Sequence, residues 1–255
     1  HGLLIAPLTP PARRYLILSK LDESIIVENS EYPLYTNVCK NYISDGFKHL
    51  KSFEKEFLPK FTYKINSATV EKTICLQYME NTVVVLYKIK TGKDDIKFKI
   101  APVINFRDFH QMSTNVEFSI KQDIKNGKTK IIVNENGATP IYIKLTEGDY
   151  IEHNNDVFRN MYYIEEEKRG FFPEENHVVP GRYEISIPKN TEKEIGFICS
   201  LEENIDEMNV KEVIQNEEKR LAKLTNGIKE EYIKNLHISA DSFVVYRPSF
   251  GLHTV

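Results

Sequence analysis

Tryptophan is absent from the 255 residues, and cysteine is scarce: Cys39, Cys75 and Cys199 lie far apart and form no CxxC or CxxH spacing. An odd number of isolated cysteines excludes a disulfide framework and a thiolate zinc site, and each sits among apolar residues as a buried free thiol would. Such usage, with no secretory signal, points to a reducing, cytoplasmic setting. No apolar run approaches the ~20 residues of a membrane span. Neither sign of charge dominates, with 34 Lys and Arg against 37 Asp and Glu and a net charge of −3. Basic residues stand singly among acids, so no nucleic-acid track is expected. Phosphate loops, dinucleotide fingerprints and the GxSxG elbow are missing. His49, His110, His153, His177 and His237 have no second histidine three or four residues away, so no metal site is expected.

What the chain does have is ordinary globular material, 41% hydrophobic and 28% charged, at a length near the upper limit for one core. Period-two or short apolar runs fill the first 200 residues and predict strands. These are Tyr15–Leu18, Ser24–Val27, Phe61–Ile65, Thr69–Tyr78, Asn81–Lys88, Ile96–Ile100, Val116–Ile120, Lys128–Val133, Ile141–Leu145, Tyr183–Ile187 and Glu194–Cys199. Asn126-Gly127 suits a tight hairpin turn, and Asn136-Gly137 and Lys90–Lys93 mark others. Ala6 to Arg14, with three prolines, reads as a rigid extended connection between two strands, at a sheet boundary or edge. So many short strands without long crossovers predict a mainly β fold, a large antiparallel two-sheet β-sandwich, with a closed barrel as the alternative.

Near Ser200 the texture changes. Met208, Val213, Ile214, Leu221 and Leu224 recur mostly at three- and four-residue steps, predicting an amphipathic helix over 207–223 that Asn226-Gly227 ends. A second helix is expected from Lys229 to about Asp241, making a C-terminal helical linker. The first residues and Ser242–Tyr246 are strand-like, so the chain is expected to be an excised piece of a longer one.

Two segments carry candidate chemistry. Glu165 to Asn176 is a charged loop containing Glu167, Arg169, Glu174 and Glu175, with Tyr162, Tyr163 and Phe171 as aromatic neighbours. A glycosidase needs two carboxyls about 5 to 9.5 Å apart across a sugar, which adjacent acids do not provide by adjacency alone. A solvated acidic loop is the plainer reading. In Asn105-Phe106-Arg107-Asp108-Phe109-His110, Arg107 and Asp108 could form a local ion pair beside His110; a structural ion network and a substrate- or partner-facing role both stay open.

These segments, with His1–Ala6, Pro10–Arg14, Leu18–Glu23, Tyr162-Tyr163, Glu167–Gly170, Glu174-Glu175, Pro180-Gly181 and Ala240–Val245, resemble in order the N-terminal domain of the bacterial and archaeal glycogen debranching enzyme, an amylo-α-1,6-glucosidase. Two departures are visible. Asn176 stands where an acid is expected, and a Gly-rich segment expected before His1 is not in the chain. The resemblance implies a supersandwich over residues 1–200, a helical linker over 201–241, and in 242–255 the start of an (α/α)6 barrel bearing the catalytic acids. It implies no catalytic residue, cofactor or metal in this piece. Its partners would be its own C-terminal catalytic domain and, through the parent, α-glucan as glycogen or limit dextrin. Arg107, Asp108, His110, Glu167, Arg169, Glu174 and Glu175 are the substrate-facing or interdomain candidates.

Overall fold

The computed structural model describes residues 2–10, 12–114, 117–134, 139–247 and 252–254, with 245–247 and 252–254 described by their backbone alone. In chain order the strands are β1 (Leu4–Thr9), β2 (Ala12–Val27), β3 (Ser30–Pro33), β4 (Val38–Cys39), β5 (Tyr42–Ile43), β6 (Leu50–Lys55), β7 (Pro59–Ile65), β8 (Ala68–Leu76) and β9 (Thr82–Lys90). After these come β10 (Ile96–Asp108), β11 (Ile120–Lys125), β12 (Lys128–Val133), β13 (Ile141–Leu145) and β14 (Asp149–Tyr162). A five-residue helix α1 (Ile164–Lys168) precedes β15 (Glu174–Ile187) and β16 (Glu192–Ser200). Helices α2 (Val210–Leu224) and α3 (Glu231–Asp241) then lead to a hairpin of β17 (Val245–Arg247) and β18 (Leu252–Thr254).

Two eight-stranded antiparallel sheets form the body. The first runs β1-β2-β10-β15-β14-β4-β5, with β3 beside β1 on the same flank of β2; the second runs β11-β12-β13-β16-β9-β8-β7-β6. Both have free edges, so the sandwich expectation holds and the barrel alternative falls. Between the sheets lies one core, to which the first contributes Leu18, Ile25, Phe98, Ile100 and Tyr183, and the second Val85, Tyr87, Ile143 and Phe197. Rings meet across the gap, Tyr87 against Phe98 with centroids 5.2 Å apart and Tyr183 against Phe197 at 6.2 Å. A buried ion pair also crosses it. The Tyr87 hydroxyl donates to Glu23 Oε1 at 2.6 Å, and Lys72 Nζ lies 2.5 Å from the same oxygen.

The second sheet is covered on both faces, which explains a run that does not alternate. Val83, Val85 and Tyr87 point into the main core, while Val84 and Leu86 point outward and pack with Val210 and Ile214 of α2. Asn209 caps α2, its side-chain oxygen accepting from the Lys211 and Glu212 amides. The helix sits close enough to β16 that a Cβ at Gly196 would lie 2.6 Å from Val210 Cγ2.

Some sequence expectations need correction. Ala6–Thr9 belongs to β1 and pairs with β2 in a hairpin, so the proline-bearing segment is an edge strand as well as a connection. Glu117–Ser119 is not strand, because Ser119 and Asn134 exchange hydrogen bonds there and the ladder begins at Ile120; Val116 and Asn136-Gly137 fall outside the described residues. The two runs read as Tyr15–Leu18 and Ser24–Val27 are one 16-residue strand. Strand β10 continues past Pro102 because its ladder to β15 shifts register between Ile100 and Ile104, which spares a proline the donor it lacks.

The two ends of the sandwich differ. At one, β2–β3, β7–β8, β9–β10, β13–β14 and β15–β16 are joined by short polar turns, and among the described residues these turns carry no exposed large apolar side chain. Strand register places the β8–β9 turn, the β14–β15 loop and the chain leading to α2 at the other end. There Leu76, Tyr78, Met79, Ile164, Phe171 and Phe172 are exposed, with Tyr42 and Ile43 on the neighbouring β5. Arg220 of α2 joins this end too, lying 3.9 Å over the Tyr78 ring and bonded to Asp241 at 2.7 Å. That pairing brings α3, with exposed Tyr232 and Leu236, to the same side.

Candidate functional site

At the apolar end, beyond the last paired residues Ile104 and Val178, the neighbouring strands β10 and β15 bring the side chains of Arg107 and Glu175 together. The two close as a fork. Arg107 Nε bonds Glu175 Oε1, and Nη2 bonds Oε2 at 2.9 Å. Oε1 also accepts the Ser113 amide at 3.1 Å, and Oε2 the Tyr163 hydroxyl at 2.9 Å. Glu175 is 0% exposed, and all its acceptor positions are filled. Burial would raise its pKa, but the Arg107 hydrogen bonds and charge and the Ser113 amide hold the carboxyl below the usual range. It is an anion at neutral pH.

His177 is equally buried and completes the cluster. The Asn105 amide nitrogen lies 3.2 Å from Nδ1, and the Tyr163 hydroxyl 3.1 Å from Nε2. Since Tyr163 gives its proton to Glu175 and Asn105 donates to Nδ1, the consistent tautomer carries its hydrogen on Nε2 and donates it to the phenol. Burial pushes His177 down to about 4, only partly opposed by the Glu175 charge, so the ring is neutral near pH 7. Asn105 uses its whole amide, donating also to the Asn176 carbonyl at 3.1 Å and accepting the Phe106 amide and the Ser113 hydroxyl. Glu175, His177 and Asn105 thus have every side-chain donor and acceptor taken up within the protein.

Asn176 explains its departure from the family pattern. Its Nδ2 donates to the Thr114 carbonyl at 2.7 Å and its Oδ1 accepts the Asn160 amide at 2.9 Å. A carboxylate could make only the second bond and would face a carbonyl oxygen with the other.

The other candidates lie around this buried set. Asp108 does not pair with the Arg107 guanidinium; its carboxylate accepts the His110 amide at 2.9 Å, while Arg107 Nη1 donates to the Asp108 and Phe109 carbonyls. The ionic partner of Arg107 is thus 68 residues away rather than next door. His110 is exposed, its ring edge-on to Phe109. Glu167 binds the Tyr162 hydroxyl, which raises that phenol to about 12 through the hydrogen bond and the charge. Arg169 is exposed and reaches Glu166 at 3.3 Å, and Glu174 lies 3.9 Å from Lys40. Arg107 and Glu175 are therefore brought together, and Asp108, His110, Glu167, Arg169 and Glu174 are distributed over the surface around them. Sequence reasoning passed over Ser113 and took His177 as a lone histidine; Asn105 and Tyr163 stood in the quoted motifs without a role. Among the described residues, no three His, Cys, Asp or Glu side chains converge to hold a metal ion.

The loop between β14 and β15 is built on this foundation. The Tyr163 amide donates to the Pro173 carbonyl at 2.8 Å, closing the neck, and Tyr163 O accepts the Glu166 and Glu167 amides as α1 begins. Gly170, at φ +79°, turns the chain back, and Phe171 N donates to Glu166 O. The tip shows Ile164, Arg169, Phe171 (65% exposed) and Phe172 to solvent.

Fold and site together define a two-layer antiparallel sandwich domain that displays one pinned apolar loop and keeps its buried ions for itself. The family model described as "Glycogen debranching enzyme N terminal" matches residues 1–194, and the chain belongs to that family. No curated protein matches the sequence. Solved structures similar to it include a protein described as a kojibiose phosphorylase from the human microbiome (12% identity, TM-score 0.35, covering 94% of this chain and 30% of that one). Another is a bacterial glucoamylase complexed with acarbose (13%, 0.39, 89% and 31%). The chain spans less than a third of the length of either. Likeness at these scores bears on neither activity nor ligand.

Proposed function

We propose that this chain is the non-catalytic N-terminal domain of a glycogen debranching enzyme. Residues 1–200 form its sandwich, 201–241 its linker, and 242–255 lead into an (α/α)6 catalytic barrel. The parent hydrolyses α-1,6-glucosidic branch points of glycogen and limit dextrin in the cytoplasm, with its catalytic acids on the barrel. The sandwich packs on that barrel and shapes the substrate cleft, the Arg169 loop coming nearest to glucan. The observation that carries this reading is the set of exposed apolar side chains on the β8–β9 turn and the β14–β15 loop, at the end opposite hairpin turns that carry none. A saturated Glu175 supports it as well, since a carboxyl with four donors and a lowered pKa is a poor general acid.

The test is to add the chain in trans to a separately prepared catalytic domain of the parent. A gain in thermal stability and in limit-dextrin hydrolysis is expected, and no gain overturns the reading. A stand-alone glucan-binding module is the second reading, favoured by the exposed rings of Tyr42, Phe171 and Phe172. Saturable micromolar binding of glucan to the chain alone, followed by tyrosine fluorescence, would select it.

A further inference from the structure

The β14–β15 loop combines two properties that rarely coexist. Its tip is apolar and solvated, and its neck is tied into the buried cluster of Arg107, Glu175 and His177. One residue makes the connection. Tyr163 closes the neck through its amide, starts α1 through its carbonyl, and sends its phenol down between Glu175 and His177. No side chain of α1 is buried, and a five-residue helix has no stability of its own. Exposed apolar groups on so short a segment would ordinarily collapse onto the nearest surface.

We propose that Tyr163 is a positioning residue: the bonds from its phenol to Glu175 and His177 set the conformation in which the loop presents Arg169, Phe171 and Phe172 to the partner domain. What the loop is presented to rests on the function proposed above; the setting of the loop does not. Phenylalanine at 163 would keep the ring and remove the hydroxyl, leaving one Glu175 lone pair and the His177 Nε2 hydrogen without partners.

The loop carries its own reporter, because Lys168 and Arg169 are exposed trypsin sites at its tip. In the 255-residue chain, Tyr163→Phe is expected to speed cleavage after these residues by about tenfold, with cleavage elsewhere unchanged and the cooperative unfolding transition retained. Cleavage at the wild-type rate in folded Tyr163→Phe overturns the proposal. Should that variant fail to fold, hydrogen exchange on the wild-type chain decides: the Glu166, Glu167 and Phe171 amides must be protected, and exchange at open-chain rates overturns the assignment. In the full-length parent, Tyr163→Phe should raise KM for branched dextrin several-fold with kcat kept. Faster cleavage together with an unchanged KM would leave the positioning of the loop standing and remove the reading of what it faces.

Discussion

The two ends of this sandwich are made by opposite means. At the polar end the turns hold themselves: Glu28 and Asn29 between β2 and β3, Asn66 between β7 and β8, and Asn190 before β16 all take positive φ, as tight hairpin geometry demands. At the apolar end the long β14–β15 connection takes its conformation from what lies beneath it, above all Arg107, Glu175, Tyr163 and His177. Tight turns serve folding and register, whereas long loops on a fixed floor are where recognition is carried. Under the function proposed above, the buried ion pair beneath the loop belongs to display rather than to chemistry.

The largest effect that would test this contrast is loss of the floor. Arg107→Ala leaves Glu175 buried without its cation and should cost about 3–5 kcal/mol in urea unfolding. A loss under 1 kcal/mol would show that the carboxylate finds water or protonates at no cost. Acid should act on the same place. The unfolded chain protonates His177 near 6.5 and the folded one only near 4, so between these values the unfolded state holds the extra proton. Stability therefore falls as pH drops through that window, by about 3 kcal/mol, and the lowered Glu175 pKa continues the trend below 4.5. A flat urea midpoint from pH 6.5 to 4 would contradict the buried neutral imidazole.

Smaller effects sharpen the comparison. Gly196→Ala pushes against Val210, displaces the helix that leads to the apolar end, and should cost about 1–3 kcal/mol with a weakened α2. At the polar end, Asn66→Ala should cost about 1–2 kcal/mol and Asn66→Gly almost nothing, a difference in melting temperature that reports φ alone. Least of all, replacing Phe171 and Phe172 by serine should leave the stability of the isolated chain within about 0.5 kcal/mol while abolishing any gain given in trans to the catalytic domain. A large loss of stability would mean that the tip is part of the fold.

Much of this was readable beforehand because alternation survives wherever one face is buried. Lys128–Val133 and Ile141–Leu145 are strands with the bounds their patterns suggest. Strand β14 was invisible. Its residues Asp149–Tyr162 are mostly polar, and Asn155 and Asn160 at positive φ interrupt the pleat, so no period-two signal forms. The floor of the loop was only half legible. Arg107 and Glu175 were each picked out for their charge, but they meet only because the sheet lays β10 beside β15, 68 residues apart in sequence, and a local reading offered Asp108 instead. Tyr163 and His177 gave no signal because an aromatic beside a charged loop and a solitary histidine look the same whether they face water or each other.

The open margins of the two sheets restrict how this domain can meet anything else. Pro7 in β1 and Pro33 in β3 interrupt the donor row on one margin, and the opposite margin ends in the two-residue β5. The second sheet ends in β6, with Lys51, Glu54 and Lys55, and in β11, with Lys121 and Lys125. Prolines, brevity and lysines are the means by which natural sheets refuse strand-by-strand addition and fibre growth. Company by backbone pairing is thereby discouraged along these margins, and the function proposed above places association in side-chain contact at the looped end.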